Sequence, residues 1–197
     1  METTFLSSAI RQFDYYRSLG EKTIARLSAE QLNWQYNPES NSVAIMVRHL
    51  SGNMLSRWTD FLTSDGEKPW RQREAEFDNG SISRDSLLEA WDKGWECLFS
   101  TLRSLREEDL SKEIFIRNQG HTVMEAINRQ LAHYPYHIGQ IVYIGKMVCN
   151  DQWQSLSIPR GGTDRYNAEK FSREKHREHF TDEFLKPDSP DSETQAG

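Results

Sequence analysis

The segment His133-Tyr134-Pro135-Tyr136-His137-Ile138-Gly139-Gln140 lies inside a stretch of helical periodicity running from about Thr122 to Cys149. Val123, Ile127, Leu131, Tyr134, Ile138, Ile141 and Gly145 recur at three- and four-residue steps, the pattern of a helix with one face on a core. Thr122, followed three residues later by Glu125, supplies a capping-box start. His133 and His137 stand four apart and border the core-facing side. Such neighbours on a helix have Cβ atoms about 5–6 Å apart, so two neutral imidazoles can meet at one ion. Spacing alone leaves two readings open, a metal site and a pair of satisfied core histidines. The glutamate of an HExxH motif is absent, which argues against that zinc-protease mechanism. Pro135 removes a hydrogen bond to the Leu131 carbonyl, a local conflict of roughly 3 kcal/mol. Such a conflict fits either a kink that opens the angle between two ligands or one that serves packing.

Working outward, three more long helices are predicted. The first spans about Thr3 to Leu27, with Leu6, Ala9, Ile10, Phe13, Gly20, Ile24 and Leu27 on one stripe. Ser28 and Gln31 have capping-box spacing and mark a short extra turn. The second runs from about Ser42 to Leu62 on Val43, Val47, Leu50, Met54, Trp58 and Phe61. The third carries Leu87, Leu88, Trp91, Trp95, Leu98, Leu102 and Leu105, with Cys97 off the stripe. Between the second and third, Thr63 to Ser83 holds Asp65-Gly66, Pro69 and Asn79-Gly80 without helical period. That is long for a link between adjacent antiparallel helices and implies a crossover. Leu27 to Leu32 and Leu105 to Leu110 echo one another, each with leucines five apart around an acidic turn. The expected architecture is all-α, a four-helix bundle with a long crossover over residues 1–150. Residues 151–185 follow as a polar extension packed on it, and 186–197 as a disordered tail.

The bulk properties narrow the function classes. The chain has 197 residues, 27% charged, 11% aromatic with six Trp, and a net charge of −6. That acidity argues against nucleic acid or an anionic membrane as main partner. No apolar run reaches the ~20 residues of a membrane span. Met1-Glu2-Thr3-Thr4-Phe5 lacks signal-peptide character, and Cys97 and Cys149 form no disulfide framework. A cytoplasmic location is expected. Cys149 reads as a small core residue.

Of the remaining histidines, His49 in Arg48-His49-Leu50 is the best third ligand, since neighbouring helices of a bundle bring distant side chains together. Periodicity does not by itself place it on the core face. His121 precedes the last helix cap and reads as a loop residue. His176 and His179 sit in a solvated charged run.

A helix-two histidine, a long second connection and a helix-four HxxxH followed by Gly-Gln resemble the DinB-like superfamily of metal-dependent enzymes. The likeness covers about Thr3 to Asn150. Asn41 to Trp58, Thr63 to Trp70, His133 to Gln140 and Ser157-Ile158-Pro159-Arg160-Gly161 resemble one uncharacterised branch in particular. The resemblance implies a DinB/YfiT-like four-helix bundle, a homodimer, and zinc, nickel or iron held by three histidines. Carried over by position, these are His49, His133 and His137. It also implies a small-molecule substrate, with a low-molecular-weight thiol among the candidates, and a transferase or hydrolase reaction. A non-catalytic binding protein of the stress response is the alternative. Asn53, one turn after His49, and Gln140 are the candidates for orienting a ligand or substrate. Thr63 to Ser83 and Gln152 to Phe171 carry Trp70, Trp153, Pro159 and Tyr166. One or both are expected to cover the mouth of the site, with Arg160 meeting an anionic group, or else to cover helix surface or form a dimer contact.

Overall fold

The computed structural model describes residues 3–78 and 80–185, and the expected tail 186–197 lies outside them. The chain divides into two compact units, Met1–Trp153 and Gln154–Gly197. The first unit is mostly helical. α1 (Phe5–Ala25) starts at a capping box in which the Thr4 hydroxyl accepts from the Ser7 amide. α2 (Ala29–Asn33) is the short turn predicted from Ser28 and Gln31. α3 (Val43–Trp58) and α4 (Arg84–Ser104) begin at Ser42 and Ser83, whose hydroxyls accept the third amide of each helix. α5 (Val123–Cys149) begins at the Thr122–Glu125 box and continues through Pro135.

α3 packs along α4 and α1 along α5, while α3–α5 and α1–α4 contacts join the pairs. At Gly94 the backbones themselves meet, because a Cβ there would lie 2.9 Å from the Ser51 Cα. Phe13, Trp58, Trp95, Phe99 and Tyr134 fill the centre. Leu27, Leu32, Leu105 and Leu110, the echoed leucines, are all buried.

Two expectations are corrected. α3 stops four residues before Leu62: Thr59 is extended and Asp60 takes φ 48°, with its carbonyl accepting from the Thr63 and Ser64 amides. Phe61 is buried nonetheless. The all-α reading also fails locally. β1 (Glu113–Ile116) and β2 (Gln119–Thr122) form an antiparallel hairpin in which Ile114 faces His121, so His121 is a strand residue. Arg117 and Asn118 both take positive φ, 56° and 59°, as a two-residue hairpin turn requires. Neither is glycine, and the strain is offset from outside. The Asp65 carboxylate accepts from both amides at 2.8 Å, and the Gly66 amide donates to the Phe115 carbonyl at 2.8 Å. Asp65, 52 residues upstream of Arg117, thus fixes a turn that lacks glycine.

In the second unit, α6 (Thr163–Phe171) and α7 (Asp182–Leu185) are tied by Tyr166 and Lys170 to Glu183. Among the described residues no helix is long and apolar enough to cross a membrane.

Candidate metal centre

The core stripe of α3 turns His49 inward, where it is buried. On α5, His133 and His137 project toward it from successive turns. The Nε2 atoms of His49 and His133 lie 3.4 Å apart, and those of His133 and His137 lie 3.2 Å apart. All three ligand atoms fall within 4.8 Å of one another. A tetrahedral ion about 2.0–2.1 Å from each imidazole nitrogen sets neighbouring nitrogens about 3.3–3.4 Å apart. The two short separations match that geometry.

The far side of each ring is held by an acceptor. His49 Nδ1 meets Glu76 Oε2 at 2.9 Å, His133 Nδ1 meets Gln130 Oε1 at 3.1 Å, and His137 Nδ1 meets Gln140 Oε1 at 2.8 Å. An ionised carboxylate only accepts, so the His49 Nδ1 carries the hydrogen, and in the neutral ring the lone pair is then on Nε2. The glutamine oxygens impose the same tautomer on the other two rings. Three lone pairs therefore point at one another, an arrangement that a cation stabilises and that this backing pattern is suited to orient.

Glu76 is itself fixed. Arg71 donates to both of its oxygens, at 2.8 and 2.9 Å, and the Phe77 ring lies 4.9 Å from the His49 ring. The carboxylate fits against α3 only because residue 52 is glycine. A Cβ there would come within 2.2 Å of Glu76 Oε1.

Burial and the neighbouring charges of His137, His49, Arg57 and Arg129 push the His133 imidazole down to about 3. Burial, together with His49, also lowers His137, against the hydrogen bond to Gln140. For Glu76, burial acts upward, but the bonds from His49 and Arg71 outweigh it and hold the carboxyl below its usual value. The two effects act in one direction. Between pH 6.5 and about 3 the unfolded chain binds protons that folded His133 refuses, so stability falls as pH drops through that window. The Glu76 contribution is full above the ordinary carboxylate range and is lost as pH falls through its lowered folded value. Metal-free protein is therefore expected to lose denaturation midpoint steadily from pH 7 to pH 4. A midpoint flat over that range would contradict the lowered values of His133 and Glu76.

The predicted residues fare unevenly. His49, His133 and His137 come together, and Gln140 contacts His137. Asn53 is buried, but its oxygen accepts from the Tyr134 hydroxyl at 3.0 Å, and Trp58 Nε1 donates to the same hydroxyl at 2.9 Å. It fixes α5 against α3 beside His133 and holds no histidine. Arg160 is exposed in the turn between Pro159 and Gly162 of the second unit. The α3–α4 connection reaches His49 through Glu76 and Phe77, whereas Trp70 is 55% exposed. His176 is exposed and pairs with Glu178. The half-buried Cys97 thiol, expected off the stripe, lies 3.6 Å from Thr59 Oγ1, and burial raises it, away from thiolate reactivity. Glu76 and Gln130 were not anticipated. Gln130 stands three residues before His133 as Gln140 stands three after His137, a symmetry visible in the sequence.

A solved structure described as a conserved protein from Enterococcus faecalis is similar to this chain, with a TM-score of 0.59 at 17% identity. The match covers 76% of this chain and all of that one, a likeness of fold. No curated protein matches. The family model described as a protein of unknown function, DUF1572, matches residues 1–162, and the chain belongs to the DUF1572 family.

Proposed function

We propose that this protein is a metal-dependent enzyme built on a DinB-like four-helix bundle of α1, α3, α4 and α5, with the α3–α4 connection as its long crossover. His49, His133 and His137 hold one divalent ion, zinc, nickel or iron. The observation that carries the reading is the convergence of three Nε2 atoms, each backed at Nδ1 by an acceptor. Three neutral ligands leave such an ion its full charge, which lowers the pKa of bound water toward ~7 or holds a thiolate. The chain's own part is positional. Glu76, Gln130 and Gln140 keep the rings in one tautomer, and Asn53 with Trp58 locks Tyr134 so that His133 cannot drift. The reaction class is thiol-linked transfer or hydrolysis on a small molecule, and a homodimer is the proposed assembly.

One observation favours a second reading, a non-catalytic metal- or ligand-binding protein. The carboxylate that touches the cluster, Glu76, is already committed to Arg71 and His49 and is not free as a general base. Turnover with low-molecular-weight thiols and electrophiles separates the two.

The test of the centre is elemental analysis of protein purified without added metal, followed by a melt with and without chelator. An ion that binds only the folded state stabilises it by RT ln(1 + [L]/Kd), about 4 kcal/mol at a thousandfold excess over Kd. Chelation is expected to lower the melting temperature by several degrees. An unchanged melt with the metal demonstrably removed would uncouple the histidines from folding.

A further inference from the structure

A cavity of about 810 Å³ opens between the segment following α2, the start of α3 and the outer face of α5. Its walls are aromatic. Trp34 and Tyr36 come from the segment after α2, with ring centroids 6.4 Å apart and planes inclined at 62°. Tyr136 and Tyr143 come from α5, seven residues and so about two turns apart on one stripe. Tyr36, Tyr136 and Tyr143 line the cavity and are 72%, 63% and 66% exposed, so their rings are accessible there rather than spent on the core. Concentrated exposed aromatic surface of this kind marks a binding site, and the volume is that of a small-molecule pocket.

Charge decides the occupant. Glu39 is the one charged residue among those that line the cavity, and no lysine or arginine joins it. An anionic ligand would find no partner there. Aromatic faces carry negative potential and attract a cation within about 6 Å of the ring centre, most strongly a weakly hydrated quaternary ammonium. The net charge of −6 adds a long-range bias in the same direction.

We infer that this cavity binds the ammonium end of a small organic cation, with Trp34, Tyr36, Tyr136 and Tyr143 as an open cage and Glu39 as its counter-charge. No metal ligand lines the cavity, so the inference stands apart from the metal centre. The two sites nonetheless share a residue, because Gln140 lines the cavity while its oxygen holds His137.

The experiment is a ligand-detected NMR titration of the full chain, metal-free and metal-loaded, with choline. Its neutral isostere 3,3-dimethylbutan-1-ol and the anion 3,3-dimethylbutyrate serve as comparisons. Choline is expected to bind saturably in both forms and about tenfold or more tighter than the alcohol, with no binding of the anion. Trp34→Ala and Tyr136→Ala should each weaken choline about tenfold, and Glu39→Gln should narrow the gap between choline and the alcohol. All three positions lie outside the buried core, and circular dichroism checks that each variant stays folded. Equal binding of choline and the alcohol, preference for the anion, or no binding of any probe would overturn the assignment. So would self-association through this face that choline does not displace.

Discussion

Replacing His133 and His137 together by alanine is expected to abolish stoichiometric metal binding while leaving the chain folded. Both rings are only partly buried, and their Nε2 atoms are 3.2 Å apart, so the change removes two of three converging donors and little of the core. A single imidazole at His49 cannot hold a divalent ion at ordinary concentrations, because chelation by pre-positioned ligands is what makes such a site tight. Each single His→Ala change should cost orders of magnitude in affinity. Glu76→Gln should cost about 10–100-fold, the usual penalty for a lost partner behind a ligating histidine. The glutamine keeps an acceptor for His49 Nδ1 but loses the charge that Arg71 grips through two hydrogen bonds. His176→Ala should change nothing. Metal per chain by elemental analysis, with circular dichroism to check folding, reads all of these. Stoichiometric metal retained in the double variant would rule the site out.

The helices of this chain are legible because each marks its own start. Thr4, Ser28, Ser42, Ser83 and Thr122 all cap where polar residues precede apolar periodicity, and the stripes they introduce are the ones that are buried. The i, i+4 histidines are legible for the same local reason. What escaped is non-local. The hairpin turn at Arg117-Asn118 has no glycine and is held by Asp65 across the fold. Glu76 sits in a polar stretch without period, and what makes it a partner of His49 is Arg71 behind it and the missing Cβ at Gly52 in front. That glycine was the available signal. A glycine inside a strongly apolar helix costs about 1 kcal/mol against alanine and points to a close approach. Asn53 was legible only as a candidate, because a polar residue one turn from a ligand can face either the ligand or the next helix; here it accepts from Tyr134, the neighbour of His133.

Trp95 offers the largest stability effect and separates two contributions within one side chain. It is 1% exposed and packs against Trp91, Phe99 and Tyr134, with ring centroids 5.5, 5.8 and 6.0 Å away. Trp95→Ala would leave a void in the middle of an aromatic cluster whose members are fixed on α4 and α5, so collapse would be incomplete. The expected cost is about 3–5 kcal/mol, a large share of the 5–15 kcal/mol typical of a folded domain. In a chain of this size that corresponds to roughly 6–20 °C in melting temperature. The indole nitrogen, however, is buried with no hydrogen-bond partner among the described residues. An unmet buried donor costs about 1–3 kcal/mol. Trp95→Phe sheds that donor while keeping one ring, so the gain offsets much of the lost volume and the variant should lie far closer to the parent than to Trp95→Ala. Urea unfolding with chelator present, which isolates packing from metal, measures both. A loss below about 1 kcal/mol for Trp95→Ala would mean that the aromatic cluster repacks freely. Equal losses for the two variants would mean that the indole nitrogen is satisfied after all.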